Sequence, residues 1–129
     1  MCVPLDDDEI VYRRIPPGQH WLQPPHRITS ANFKLKAGEQ GLSVYRASIV
    51  TPQQVLQRPG VGKGFRIAKA RVGDIRTLSK RDEKGQQVPL NLDVVAVGDA
   101  DDPGHAEIRG PITAAASRAL ARLFQLLDS

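Results

Sequence analysis

The chain has 129 residues, of which 40% are hydrophobic and 25% charged, which suits one folded domain with a modest core and argues against wholesale disorder. Aromatics make up only 5%, so the core must rest on Val, Leu, Ile and Ala, and the single cysteine, Cys2, excludes an internal disulfide or a Cys-rich zinc module. The net charge is a mild +4; no apolar run reaches membrane-spanning length, and the acids Asp6, Asp7, Asp8 and Glu9 stand where a signal-peptide core would lie, so a cytoplasmic location is expected.

In chain order, residues 1–9 read as a flexible acidic tail. Residues 10–15 form a β-type run closed by Pro16-Pro-Gly18, which cannot continue a central strand. A loop carrying Pro24-Pro25 follows, from which Trp21 and Leu22 fold back, with Trp21 as a lid over an apolar patch. Residues 27–33 fit either a short helix or an irregular turn that carries Phe33 inward, capped by Thr29 or Ser30. After a turn at 36–41, residues 42–50 alternate as a strand. Leu42, Val44, Arg46 and Ser48 share one face, and Ser43, Tyr45, Ala47 and Ile49 the other.

Thr51-Pro-Gln-Gln54 is a capping box with proline at the first helical position, and Pro59-Gly60 keeps that helix short. Residues 65–72 read as a strand with Phe65, Ile67 and Val72 inward, residues 74–78 as one helical turn, and residues 80–87 as a mobile polar loop. An apolar strand then runs into the acidic turn Asp99, Asp101, Asp102, Pro103, Gly104. The chain returns from His105, with Ala106 and Ile108 on one side and His105 and Glu107 on the other. After Gly110-Pro111, residues 113–127 predict a long helix with an apolar stripe of Ala116, Leu120, Leu123, Phe124 and Leu127. The expected fold is therefore a single α+β domain, a mixed or antiparallel sheet of about five strands with the C-terminal helix packed on one face.

Charge is distributed unevenly. The stretch 58–84 is strongly basic and the stretch 93–107 is acidic without a Lys or Arg. Either these are a cationic face for phosphate or nucleic acid and an anionic hairpin, or they are two solvated surfaces that attract each other within the molecule. Asp99, Asp101 and Asp102 with His105 could in principle ligate a hard cation. However, Pro103 and Gly110 occupy ligand positions of the calcium-loop template, and an Asp/Pro/Gly tip is ordinary turn chemistry. Gly62-Lys63 lacks the first glycine and the Ser or Thr of a phosphate-binding loop. No motif requires a metal or a cofactor.

Arg13-Arg-Ile-Pro16, Arg27-Ile-Thr-Ser-Ala-Asn-Phe33, Leu42-Ser-Val-Tyr45 and Asp102-Pro-Gly-His-Ala-Glu-Ile108 together resemble a family of small bacterial proteins with no established activity. The layout of the first half is similar to NAD-processing domains of the ADP-ribosyltransferase and RES type. That resemblance implies an NAD or nucleotide-like ligand held by Arg13 or Arg14, with Arg14 taken as the contact, together with Arg27, Ser30 and Tyr45. Gln53 and Gln54 stand where the resemblance implies a catalytic glutamate, the group that would stabilise developing positive charge. The leading expectation is a non-catalytic binding or accessory domain with a protein partner. One alternative is an enzyme on an NAD-like substrate with His105 and Tyr45 as catalytic candidates; another is a nucleic-acid binder using residues 58–84.

Overall fold

The computed structural model describes residues 3–24, 26–98 and 100–127. Its strands, in chain order, are β1 (Val3–Pro4), β2 (Ile10–Ile15), β3 (Leu22–Gln23), β4 (Arg27–Ile28), β5 (Leu42–Arg46), β6 (Arg66–Arg71), β7 (Ser79–Arg81), β8 (Gln87–Pro89), β9 (Asp93–Ala96), β10 (His105–Arg109) and β11 (Gln125–Leu126). The helices are α1 (Pro52–Leu56), α2 (Val72–Arg76) and α3 (Ala114–Leu123), with a 3-10 turn over Ser30–Phe33. Seven strands, not about five, form the main sheet in the order β1-β9-β10-β5-β2-β6-β11, and every neighbouring pair is antiparallel.

Strand alternation gives the sheet two unlike faces. Val11, Ile15, Leu42, Val44, Ala68, Ala70, Val94, Ala106 and Ile108 lie on one and build the larger core with Phe33 and with Ala116, Ala119, Leu120 and Phe124 from α3 and its end. The helix is therefore packed on one face, as its periodicity predicts. Thr113 caps it by accepting from the Ala116 N–H, and the buried Ser117 hydroxyl donates to the Phe33 carbonyl at 2.6 Å, tying α3 to the 3-10 turn. The opposite face carries a small second core of Tyr45, Val55 and Ile67, closed by α1. The capping box that starts α1 is present in full.

Several expectations change for a common reason, which is pairing between distant segments. Residues 3–9 are pinned: β1 pairs with β9, Leu5 is buried and donates its N–H to Val94, and Glu9 binds Arg46. That bond, together with the charge of Arg46, outweighs burial and holds the Glu9 carboxyl below its ordinary pKa. The long helix expected over 113–127 stops at Leu123. Phe124 turns extended so that β11 can pair with β6, and the Leu127 N–H reaches the Ile67 carbonyl. Leu127 consequently leaves the expected stripe and packs against the smaller core, while Leu123, still helical, stays half-buried against the larger one. Residues 80–87, expected to be a mobile loop, belong to the two-stranded hairpin β7–β8, whose turn is held by the Asp82 carboxylate accepting from the backbone of Lys84 and Gln86. In β6 the residues facing the larger core are Ala68 and Ala70, and Ile67 packs on the opposite face; Val72 lies in the larger core as expected, but as the first residue of α2. The strand expected over 42–50 ends at Arg46.

Candidate functional site

Tyr45 is the centre of one candidate cluster. It is 5% exposed, and β5 sets it directly opposite His105 on β10, their ring centroids 5.7 Å apart. The Arg14 and Arg58 guanidiniums stand 5.4 and 4.7 Å from the Tyr45 ring centroid, within cation–π range. His105 Nε2 lies 3.1 Å from the Ser43 hydroxyl, the diagonal neighbour across the strand pair. Arg14, Tyr45 and His105, named from the sequence, thus come together, and they bring Ser43 and Arg58 with them. Register alone could have exposed Ser43, because a one-residue shift would have sent it to the other face.

Arg58 also clamps the acidic loop. Its two terminal nitrogens donate to the two Asp102 carboxylate oxygens at 2.7 and 2.5 Å, a bidentate pair of the kind that fixes orientation as well as distance. Bonding to Asp102 raises the Arg58 pKa above its ordinary value. Gly98 lets this loop fold back tightly, since a Cβ there would stand 2.3 Å from the Asp102 carbonyl oxygen. Among the described residues no three His, Cys, Asp or Glu side chains converge as metal ligands; Asp102 is committed to Arg58, and Asp99 lies outside the described residues. Asp101 is exposed on the same loop.

Arg27 and Ser30 go elsewhere. They line a hollow of about 700 Å³ on the side of the sheet that carries α3, joined there by His26, Arg66, Arg118 and Arg122. Local structure explains each placement. The β3–β4 pair buries Ile28 and turns Arg27 outward. Arg118 and Arg122, spaced i and i+4, share one side of α3. The β11–β6 pairing brings the chain end to Arg66, whose guanidinium lies 3.2 Å from His26 Nδ1 and 3.5 Å from the Leu127 carbonyl. A guanidinium only donates, so His26 accepts at Nδ1. The floor is apolar, formed by Ile28, Ala121, Phe124 and Leu126.

The groove is distinguished by how its charges are gathered. Arg46, Arg58, Arg71, Arg76 and Arg109 each have a carboxylate partner, while Arg13, Arg14, Arg27, Arg66, Arg81, Arg118 and Arg122 have none among the described residues, and Arg27, Arg66, Arg118 and Arg122 of these line one hollow. The basic and acidic stretches seen in the sequence partly satisfy each other, through Arg58 with Asp102 and Arg76 with Asp93. The groove arginines share no such relief. The like-charged pair on α3 alone costs a few tenths of a kcal/mol, and the apolar stripe of the helix does not disclose that its two arginines meet Arg27 and Arg66 around one hollow.

Arg13 serves a third role, on the core side. Its guanidinium donates to the carbonyls of Asn32 and Ser43, at 2.9 and 2.6 Å, and stands 5.3 Å from the Phe33 ring centroid. Burial pushes its pKa down to about 10. It staples the 3-10 turn to β5, the strand that presents Ser43 and Tyr45 on the opposite face.

These features define an α+β domain with an antiparallel seven-stranded sheet, an arginine-lined groove beside its C-terminal helix and a Tyr–His–Arg cluster on its other face. No family model, curated protein or solved structure matches the chain. No helix among the described residues is long and apolar enough to cross a membrane.

Proposed function

We propose that the chain is a non-catalytic binding or accessory domain that engages an anionic partner through the arginine groove. The observation that carries this reading is the convergence of Arg27, Arg66, Arg118 and Arg122 around one hollow that, among the described residues, no carboxylate lines. Guanidinium forks match carboxylate and phosphate oxygens bidentately, so a cluster of this composition selects anions by geometry as well as charge. Binding to labelled heparin, a polyanionic probe, is expected to weaken more than about tenfold between roughly 50 and 200 mM salt, in the direction that ionic screening demands. The loss should appear equally in Arg118→Gln/Arg122→Gln at constant salt and not in the control Lys80→Gln/Lys84→Gln. Equal binding by both double variants would sink the groove as the contact.

A second reading, an enzyme acting on NAD or a similar nucleotide, draws support from the meeting of Arg14, Tyr45 and His105. In that case His105 would move a proton and Arg14 would hold a phosphate. Arg27 and Ser30 line the groove and so take no part in this cluster. The expectation is that NAD raises the melting temperature of the wild type and that Arg14→Ala and His105→Ala abolish the shift. A melting temperature indifferent to NAD up to millimolar concentrations would remove this reading.

A further inference from the structure

We infer that the groove is a polyphosphate site, shaped for a small ligand carrying two or more adjacent phosphoryl groups. This inference rests on the anionic-partner reading and narrows it to a ligand class. Two guanidinium forks can bind one phosphoryl group, and the groove presents four, two on its helix wall and two on its strand wall. Arg118 and Arg122 project from α3, while Arg27 and Arg66 come from the strand side. Two adjoining phosphoryl groups would let each wall hold one.

Size and surroundings favour a compact ligand over a polymer. The hollow of about 700 Å³ falls within the range of small-molecule sites. Beyond Gln125 the surface dips into a neighbouring depression lined by Lys69, Arg71 and Asp74, where Arg71 is already paired with Asp74 and Asp8. Charge there is mixed, with Asp74 lining the depression beside Lys69 and Arg71, so the purely cationic lining of the groove does not continue in that direction as a backbone track would require. Nor is there a stacking platform for a chain of bases, since Phe124, the one aromatic residue of the lining besides the His26 ring, is 3% exposed. The apolar floor of Ile28, Ala121 and Leu126 offers cover for an organic group attached to the phosphates, such as a sugar edge.

Isothermal titration of the full chain with inorganic triphosphate, ATP, orthophosphate and a short oligothymidine, at near-physiological salt without divalent metal, tests this. Triphosphate and ATP are expected to bind at least about tenfold more tightly than orthophosphate, the gain of one further charge-assisted contact. Arg66→Gln and Arg118→Gln should each lose about tenfold or more, with unchanged thermal unfolding, and Lys80→Gln should lose nothing. ATP binding more tightly than triphosphate would assign the ligand as a nucleotide; equal binding would assign it as a polyphosphate recognised without its organic part. Triphosphate binding no tighter than orthophosphate overturns the inference. Groove-dependent binding of the oligothymidine without triphosphate binding also overturns it while leaving the anionic-partner reading intact. Failure of every anion, heparin included, overturns both.

Discussion

Changing Arg118 and Arg122 together to glutamate is expected to weaken anion binding about a thousandfold, about 4 kcal/mol, with little change in the fold. Both residues are exposed on α3, whose buried side is Ala116, Ser117, Ala119 and Leu120, so neither change touches the core. Each charge-assisted hydrogen bond lost is worth about 1.5–3 kcal/mol. The reversal also leaves two carboxylates facing Arg27 and Arg66, which cancels the formal charge of the groove and repels the ligand. Stability is governed by smaller effects. The new carboxylates gain Arg27 and Arg66 as exposed partners, worth up to about 1 kcal/mol. A carboxylate in the last helical turn, where Arg122 stands, opposes the helix dipole by about 0.3–1 kcal/mol. Titration of heparin or triphosphate against the double variant, beside its thermal unfolding curve, checks both halves. Retained affinity in a folded double variant would show that the groove is not the binding surface.

Arg13→Ala is expected to destabilise the fold by about 3 kcal/mol, read by urea denaturation. The side chain is the hydrogen-bond donor to the Asn32 and Ser43 carbonyls, and its removal leaves both acceptors and a space against Phe33. A partly buried acceptor stripped of its partner costs about 1–3 kcal/mol. Asn32 is poorly placed to absorb the change, because its own Oδ1 is already buried without a partner and its Nδ2 is committed to the Trp21 and Thr29 carbonyls. A pH dependence goes with this. Burial lowers the Arg13 pKa from its ordinary value to about 10 in the folded state. Below pH 10 Arg13 is charged in both states and the full cost of burying that charge is present. As pH rises above about 10, the unfolded chain still holds the proton that the folded chain has released, so stability from this residue rises. The gap between wild type and Arg13→Ala should therefore widen above about pH 10. A gap that narrows there would mean that the guanidinium is not desolvated in the fold. Because β5 carries Ser43 and Tyr45, loss of the staple should also loosen the His105–Ser43 contact.

The two experiments address different faces of one sheet, and the sequence disclosed those faces unequally. Alternation in His105–Arg109 predicts which side chains share a face, and the structure agrees, with Ala106 and Ile108 in the core and His105 and Glu107 opposite. The capping box at Thr51 and the start of α3 after Gly110-Pro111 are equally local, because they depend on hydrogen bonds within one helical turn. The layout resemblance singled out Arg14, Arg27, Ser30 and Tyr45 together, yet the fold divides them, Arg14 and Tyr45 to the cluster and Arg27 and Ser30 to the groove. Nothing local separates Arg13 from Arg14, but one residue of strand pitch sends the first towards the Phe33 core and the second over Tyr45.

What the sequence determined by itself is the set of short-period choices: strand alternation, turn chemistry, helix caps and the class of the fold. Tertiary structure alone decided where the helix ends, because the extension of Gln125–Leu126 is stabilised by hydrogen bonds to β6, far away in the chain. It also decided which arginines are neutralised. Arg58 and Arg76 find acids 44 and 17 residues away, whereas Arg27, Arg66, Arg118 and Arg122 gather around a hollow with no acid among the described residues of its lining. The physical reason is range. Dihedral preference and hydrogen bonding within a turn act between near neighbours in sequence, while charge pairing acts between neighbours in space, which exist only once the strands have taken their order.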